Sequence, residues 1–110
     1  MNKNFGFVKV ATAVPHVRVA DCSYNLQQML NLIAQAEEER AAVVCFPELS
    51  VTAYTCLDLF NQQVLLEAAE QAVKDLLSYS TGTDTIIIVG TPVTHACTVL
   101  DCAAVIQDGK

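Results

Sequence analysis

One carboxylate in this sequence stands where chemistry is possible. From Val43 the chain reads VVCFPELSVTAYTCLDLF, a short apolar run that ends at a proline and delivers Glu48 directly after it. Ligands in open α/β sheets gather beyond the carboxyl ends of the strands, so a glutamate at that point is placed to line a site. Half-buried there, its carboxyl would have a raised pKa and could act as a general base near neutral pH. The plainer alternative is a surface side chain or a helix cap, and the residues alone leave both readings open. Other reactive residue types make weaker patterns. His95, Cys97 and Cys102 are conceivable metal ligands, but four residues separate the cysteines and no second pair follows, which argues against zinc. His16 stands alone in a loop and reads as exposed. Gly90 has neither GxGxxG nor Walker companions, so no nucleotide site is expected in this stretch.

The elements that must position Glu48 follow from hydrophobic periodicity. Phe7 to Val14, rich in β-branched residues and ended by Pro15, reads as a buried strand. The loop Pro15–Cys22 carries Asp21, and Ser23 follows; both are good N-caps. From Tyr24 to about Arg40 the spacing is helical, with Leu26, Met29, Leu30, Ile33 and Ala36 on one stripe. That stripe is better read as a core face than as a cofactor box. Glu37, Glu38 and Glu39 oppose the helix dipole, and Arg40 offsets them only partly. Ala41–Phe46 is a continuously apolar strand bounded by Pro47, and a polar irregular stretch runs from there to about Asn61.

Gln62–Leu77 is the best helix, with Leu65, Leu66, Ala69, Val73, Leu76 and Leu77 at three- and four-residue spacing. Ser78–Asp84 is a turn, and Thr85–Val89 a strand closed by Gly90 and Pro92. Thr98–Gln107 is a fourth strand, followed by Asp108-Gly109, a strong hairpin-turn signal. The returning strand would begin at Lys110, so the chain is expected to be cut within its domain, leaving an unpaired edge. No internal repeat, low-complexity segment or linker interrupts the order strand, helix, strand, helix, strand, strand. The expected class is α/β, with a mixed sheet and helices on one side.

Composition narrows the partners. At 110 residues the chain has the size of one domain. Hydrophobic residues make up 53% and charged residues 16%, too little charge to cover a self-contained domain, so apolar faces are expected to meet further chain or a partner. The net charge of −6 and the absence of any Lys/Arg cluster exclude nucleic acid and anionic membrane as expected partners. Five irregularly spaced cysteines fit reduced thiols of a cytoplasmic protein better than a disulfide framework. Lys3 and Ala11-Thr12-Ala13 invite a signal-peptide reading, but Lys9 interrupts the only apolar run. No segment approaches the ~20 apolar residues that span a bilayer.

Several features together resemble the nitrilase, or carbon–nitrogen hydrolase, superfamily. They are the early strand, Asp21 and Asn25 at the helix entry, the Ala-rich helix feeding a strand, the Phe46-Pro47-Glu48-Leu49 step, and Tyr54. Tyr54-Thr55-Cys56-Leu57-Asp58-Leu59-Phe60 and Val89-Gly90-Thr91-Pro92-Val93 are similar to the glutaminase domains of the glutamine-dependent NAD synthetase branch. So is Cys102 through Lys110, and the resemblance then spans nearly the whole chain.

The resemblance implies a Glu-Lys-Cys triad on a four-layer αββα sandwich, of which residues 1–110 would be an incomplete N-terminal portion. The cysteine attacks an amide or nitrile carbon. The glutamate takes the thiol proton and later activates water, while the lysine stabilises the tetrahedral intermediate. Glu48 matches that glutamate, and Tyr54 matches a tyrosine near the glutamine pocket, where packing alone is the alternative. The lysine is expected beyond the Asp-Gly turn, so Lys110 belongs to the turn. None of Cys22, Cys45, Cys56, Cys97 and Cys102 matches the nucleophile, and Cys45 in particular is expected to be a buried structural thiol.

One departure concerns Ala53, where the family usually has Gly; if that backbone needs φ > 0, alanine strains it. The implied function of the parent is hydrolysis of glutamine to supply ammonia for NAD synthesis, with this segment alone inactive. ATP and magnesium would serve an absent synthetase domain, no cofactor belongs to this segment, and the parent would be a cytoplasmic homo-oligomer. The rival readings are a stand-alone nitrilase-family amidase and a non-catalytic structural or binding module.

Overall fold

The apolar stripes of both helices meet on the same side of one sheet. The structure, a computed structural model, describes residues 6–110; Lys3 lies outside the described residues. Strand β1 (Val10–Thr12) leads into helix α1 (Cys22–Glu38), strand β2 (Val43–Cys45), a 3₁₀ turn (Leu57–Asn61), helix α2 (Gln63–Ser80), and strands β3 (Ile86–His95) and β4 (Thr98–Ile106). The spatial order is β1-β2-β3-β4. The first three strands are parallel and β4 returns antiparallel to β3, so the sheet is mixed, as the alternation of elements predicts.

Asp21 caps α1, its carboxylate accepting from the Tyr24 amide at 3.1 Å. The far end closes with Arg40 at φ 58, donating to Glu37 O, while the Ala41 amide reaches back to Ala36 O. This is a Schellman closure with arginine where glycine is usual. The acidic helix end receives help from the residue before β1: Lys9 Nζ donates to the Glu39 carbonyl at 2.9 Å. On α1 the buried positions include Met29, Ile33 and Ala36; on α2 they include Leu65, Ala69, Ala72 and Leu76. These join Val44, Phe46, Ile87, Val89 and Ile106 from the sheet in one core. Tyr79 of α2 donates to the Glu37 carboxylate of α1 across the top.

Strand alternation divides the sheet sharply. Val44 and Ile87 on the helix side are fully buried, whereas Val10 and Val105 on the other side are 62% and 63% exposed. That second face also carries Thr12, Val43, Cys45, Ile86, Ile88 and Ala103, none of them buried. The first strand is shorter than the expected Phe7–Val14 run and is not buried: Val10 and Thr12 are exposed and Ala11, on the helix side, is half-buried.

Strand β3 runs past its expected stop at Gly90, through Pro92 to His95. The even-numbered β3 residues direct their polar groups toward β2, as Ile86 N to Ala42 O and Phe46 N to Ile88 O show. Beyond Cys45 no β2 residue remains to be paired, so the N–H that Pro92 lacks costs no ladder bond. The β3–β4 connection is a two-residue turn at Ala96 (φ 48) and Cys97 (φ 64), a left-handed pair without glycine. The expected Asp108-Gly109 turn is present as well. Gln107 and Lys110 exchange both backbone hydrogen bonds around it, at 2.9 and 3.0 Å. It docks on the end of α2, where Gly109 N donates to Ser80 Oγ and Gly82 N donates to Asp108 Oδ1, both at 2.8 Å. No helix among the described residues is long and apolar enough to cross a membrane.

Candidate active site

Glu48 leaves the carboxyl end of β2 in a segment of consecutive turns. Ser50 N donates to Pro47 O and Thr52 N donates to Leu49 O, each at 3.2 Å. Leu49, Ala53 and Leu57 have φ of 54°, 74° and 53°, the left-handed region that side chains disfavour. Ala53 thus carries the strain anticipated for it, on the order of 1–2 kcal/mol. Three such residues in one short stretch need outside support, since strain of this kind persists only where surrounding contacts over-determine it.

Asn25 supplies much of that support. Fully buried at the first turn of α1, it accepts from Arg18 N at 2.7 Å through Oδ1. Its Nδ2 donates to Arg18 O at 2.9 Å and to Val51 O at 3.0 Å. Ala20 N donates to Thr52 O at 2.9 Å, so the loop before α1 and the loop after β2 form one hydrogen-bonded unit. The Cys56 thiol donates to Thr52 O at 3.0 Å and closes the far end. Sequence reading found Asn25 as part of a pattern at a helix entry, but nothing local signals a partner 26 positions away.

The Glu48 side chain is exposed rather than half-buried, yet its pKa is raised. The cause is Asp101 on β4: protonated Glu48 donates to the Asp101 carboxyl, and the charge there repels the ionised form; desolvation adds least. Asp101 stands opposite Pro92 on the same side of β4 as Ala103 and Val105. The carboxyl pair therefore lies on the rim of the exposed apolar sheet face. Sequence reading missed Asp101; a lone acid in the strand TVLDCAAVI was the available signal. Chemically, a carboxylate with raised proton affinity, open to solvent at the end of a parallel strand, can take a proton from a nucleophile and return it to a leaving group.

The other expected residues scatter. Tyr54 lies six residues on in the same loop and is 67% exposed. Lys110 closes the turn at the opposite end of β4; six strand residues from Asp101 to Gln107 place it about 20 Å from the carboxyl pair. All five cysteines are free. Cys22 and Cys56 are buried, and burial, with Cys56 and Asp21 nearby, pushes the Cys22 thiol up to about 11. Cys97 is exposed at the hairpin tip, and Cys102 is half-buried. Cys45 departs from its expected burial: it is half-buried on the exposed face, its thiol donating to Phe46 O at 3.7 Å. His95, Cys97 and Cys102 do not assemble; no group of three or more potential metal ligands occurs among the described residues.

The family profile described as Carbon-nitrogen hydrolase matches residues 9–110. The glutamine-dependent NAD(+) synthetase of Mycobacterium bovis is 33% identical over 104 residues, which cover 94% of this chain and 15% of that protein. The crystal structure of a glutamine-dependent NAD(+) synthetase from Cytophaga hutchinsonii superposes with a TM-score of 0.86 at 24% identity, covering 93% of this chain and 17% of the other. A glutamine-dependent NAD+ synthetase from Acinetobacter baumannii, in complex with ADP, gives a TM-score of 0.81 at 28% identity, over 94% and 19% of the two chains. The chain thus spans about a sixth of the length of these relatives.

Proposed function

The chain belongs to the carbon–nitrogen hydrolase family, and from that premise we propose that Glu48 is the general base of an amide-hydrolysing site. The observation that carries this reading is the placement of Glu48: solvent-open at the carboxyl end of β2, with its proton affinity raised by Asp101. A base so placed takes the proton of a nucleophile as the carbonyl carbon is attacked, delivers it to the departing nitrogen, and then activates water to release the acid. The substrate is glutamine and the product ammonia, a reading supported by the 33% identity to a glutamine-dependent NAD(+) synthetase.

Residues 1–110 are then the N-terminal portion of a nitrilase-type glutaminase domain, acting in the cytoplasm within a self-associating protein. Tyr54, exposed in the Glu48 loop, contributes to the glutamine pocket. The ammonia serves NAD synthesis in a synthetase portion that uses ATP and magnesium. The described residues do not fit those groups: Gly90 has no glycine-rich companions that would cradle phosphates, and magnesium at such sites is held chiefly through the nucleotide phosphates. Replacing Glu48 by Gln in the full-length polypeptide tests the assignment. Glutaminase turnover is expected to fall ~10²–10⁴-fold, and a loss below about tenfold overturns the base role.

A further inference from the structure

The Glu48 loop rests on β3 at one residue. An ideal Cβ built on Gly90 would fall inside contact distance of the Leu49 amide nitrogen, and would lie 2.9 Å from both the Glu48 carbonyl carbon and the Pro47 oxygen. All three are backbone atoms of the turn that carries the carboxylate, so no side-chain rotation relieves the overlap. The φ of Gly90 is not positive, and the glycine is required by closeness rather than by conformation. Both polar groups of Gly90 face the same loop. Gly90 N donates to the buried Ser50 hydroxyl at 3.2 Å, and Val51 N donates to Gly90 O at 3.1 Å. Those groups would have continued the ladder to β2 had that strand run on; the Glu48 loop takes its place.

We propose that Gly90 and Ser50 are positioning residues for Glu48: the missing side chain lets Pro47–Leu49 lie flat on β3, and the Ser50 hydroxyl and Val51 amide latch the loop there. Gly90 lies two residues before Pro92, whose partner across the hairpin is Asp101. The strand that seats the Glu48 backbone therefore also places the carboxyl facing its side chain, and a loop lifted from Gly90 withdraws Glu48 from Asp101. This proposal rests on the reading of Glu48 as the base for its functional meaning, though not for its geometry.

The test is the titration of Glu48, followed by NMR on the chain labelled at the glutamate carboxyl carbons and assigned through Glu48→Gln. Asp101→Asn supplies the value of Glu48 without its neighbour. Gly90→Ala is expected to lower the Glu48 midpoint to that value. Ser50→Ala, which deletes one latch while preserving the close approach, is expected to move it part of the way with an unchanged far-UV spectrum. A purely structural role would lower the melting temperature and leave the midpoint of the folded protein where it was. Should Gly90→Ala fail to fold, Ser50→Ala decides alone; a wild-type Glu48 midpoint in the folded variants overturns the proposal. The base assignment fails separately, through unimpaired turnover in Glu48→Gln, and leaves this result untouched.

Discussion

Removing the Asn25 side chain should unlatch both loops around the candidate site at once. The cost can be worked bond by bond. Arg18 is exposed, so its amide and carbonyl regain water, and each lost bond costs about 0.5–1.5 kcal/mol. Val51 is 1% exposed, and its carbonyl, left without a donor, costs about 1–3 kcal/mol. Asn25→Ala is therefore expected to destabilise the chain by roughly 2–6 kcal/mol, centred on about 4, a large share of the ~5–15 kcal/mol typical of a domain. The matching fall in melting temperature is on the order of 15 °C. Urea unfolding with parallel thermal melts measures both, and an unchanged urea dependence shows that the native state has lost strength rather than shape. Asn25→Asp retains the acceptor for Arg18 N but turns a carboxylate toward two carbonyls. Its penalty should match or exceed that of alanine at neutral pH and shrink on acidification, as the protonated acid recovers a donor. A loss below about 1 kcal/mol for Asn25→Ala would refute the view that this side chain carries the junction.

Two further outcomes follow from the same loop. With its folded pKa above the unfolded value, Glu48 stabilises the fold while protonated and loses that contribution as pH rises from the ordinary carboxyl range through its raised midpoint. In Asp101→Asn the Glu48 midpoint should fall to the ordinary range and that pH-dependent loss vanish; an unmoved NMR titration would show that Asp101 is not the cause. For Ala53→Gly, relief of about 1–2 kcal/mol of backbone strain is offset by about 0.4–1 kcal/mol of unfolded-chain entropy and about 0.8 kcal/mol for a buried methyl. The net change should stay within about 1 kcal/mol, while Ala53→Val should destabilise by more than about 2 kcal/mol. Chemical denaturation distinguishes these, and an equally tolerated valine would contradict the positive φ.

The helices and the second strand were legible in the sequence because their apolar periodicity is local and strong. Met29, Ile33 and Ala36, and Leu65, Ala69 and Leu76, pack as their spacing requires. The Asp108-Gly109 turn was equally plain, since both residue types favour positive φ. The Ala96-Cys97 turn was not, because neither type announces a left-handed pair. Gly90 and Pro92 read as the end of a strand, whereas the chain uses them inside it: one where the Glu48 loop presses against the sheet, the other where the parallel neighbour has stopped. For the site, the proline–glutamate step after an apolar strand pointed to Glu48, but its environment was misjudged. The expected cause of the raised pKa was burial; the main cause is Asp101, 53 positions downstream and across the sheet. Partnerships of that range leave no mark on local pattern.

The exposed sheet face gives Glu48 a second dependence. Asp101 shares that face with Ala103 and Val105, so the carboxyl pair stands at one end of an apolar surface, with Ala103, Ile88 and Val105 as its nearer members, that water hydrates poorly. Any structure laid across that surface to bury it also strips solvent from its rim. Two neighbouring carboxyls in a lowered local dielectric repel more strongly, and the ionised form of Glu48 loses hydration at the same time. A cover that reached that end of the apolar face would therefore also strengthen the base.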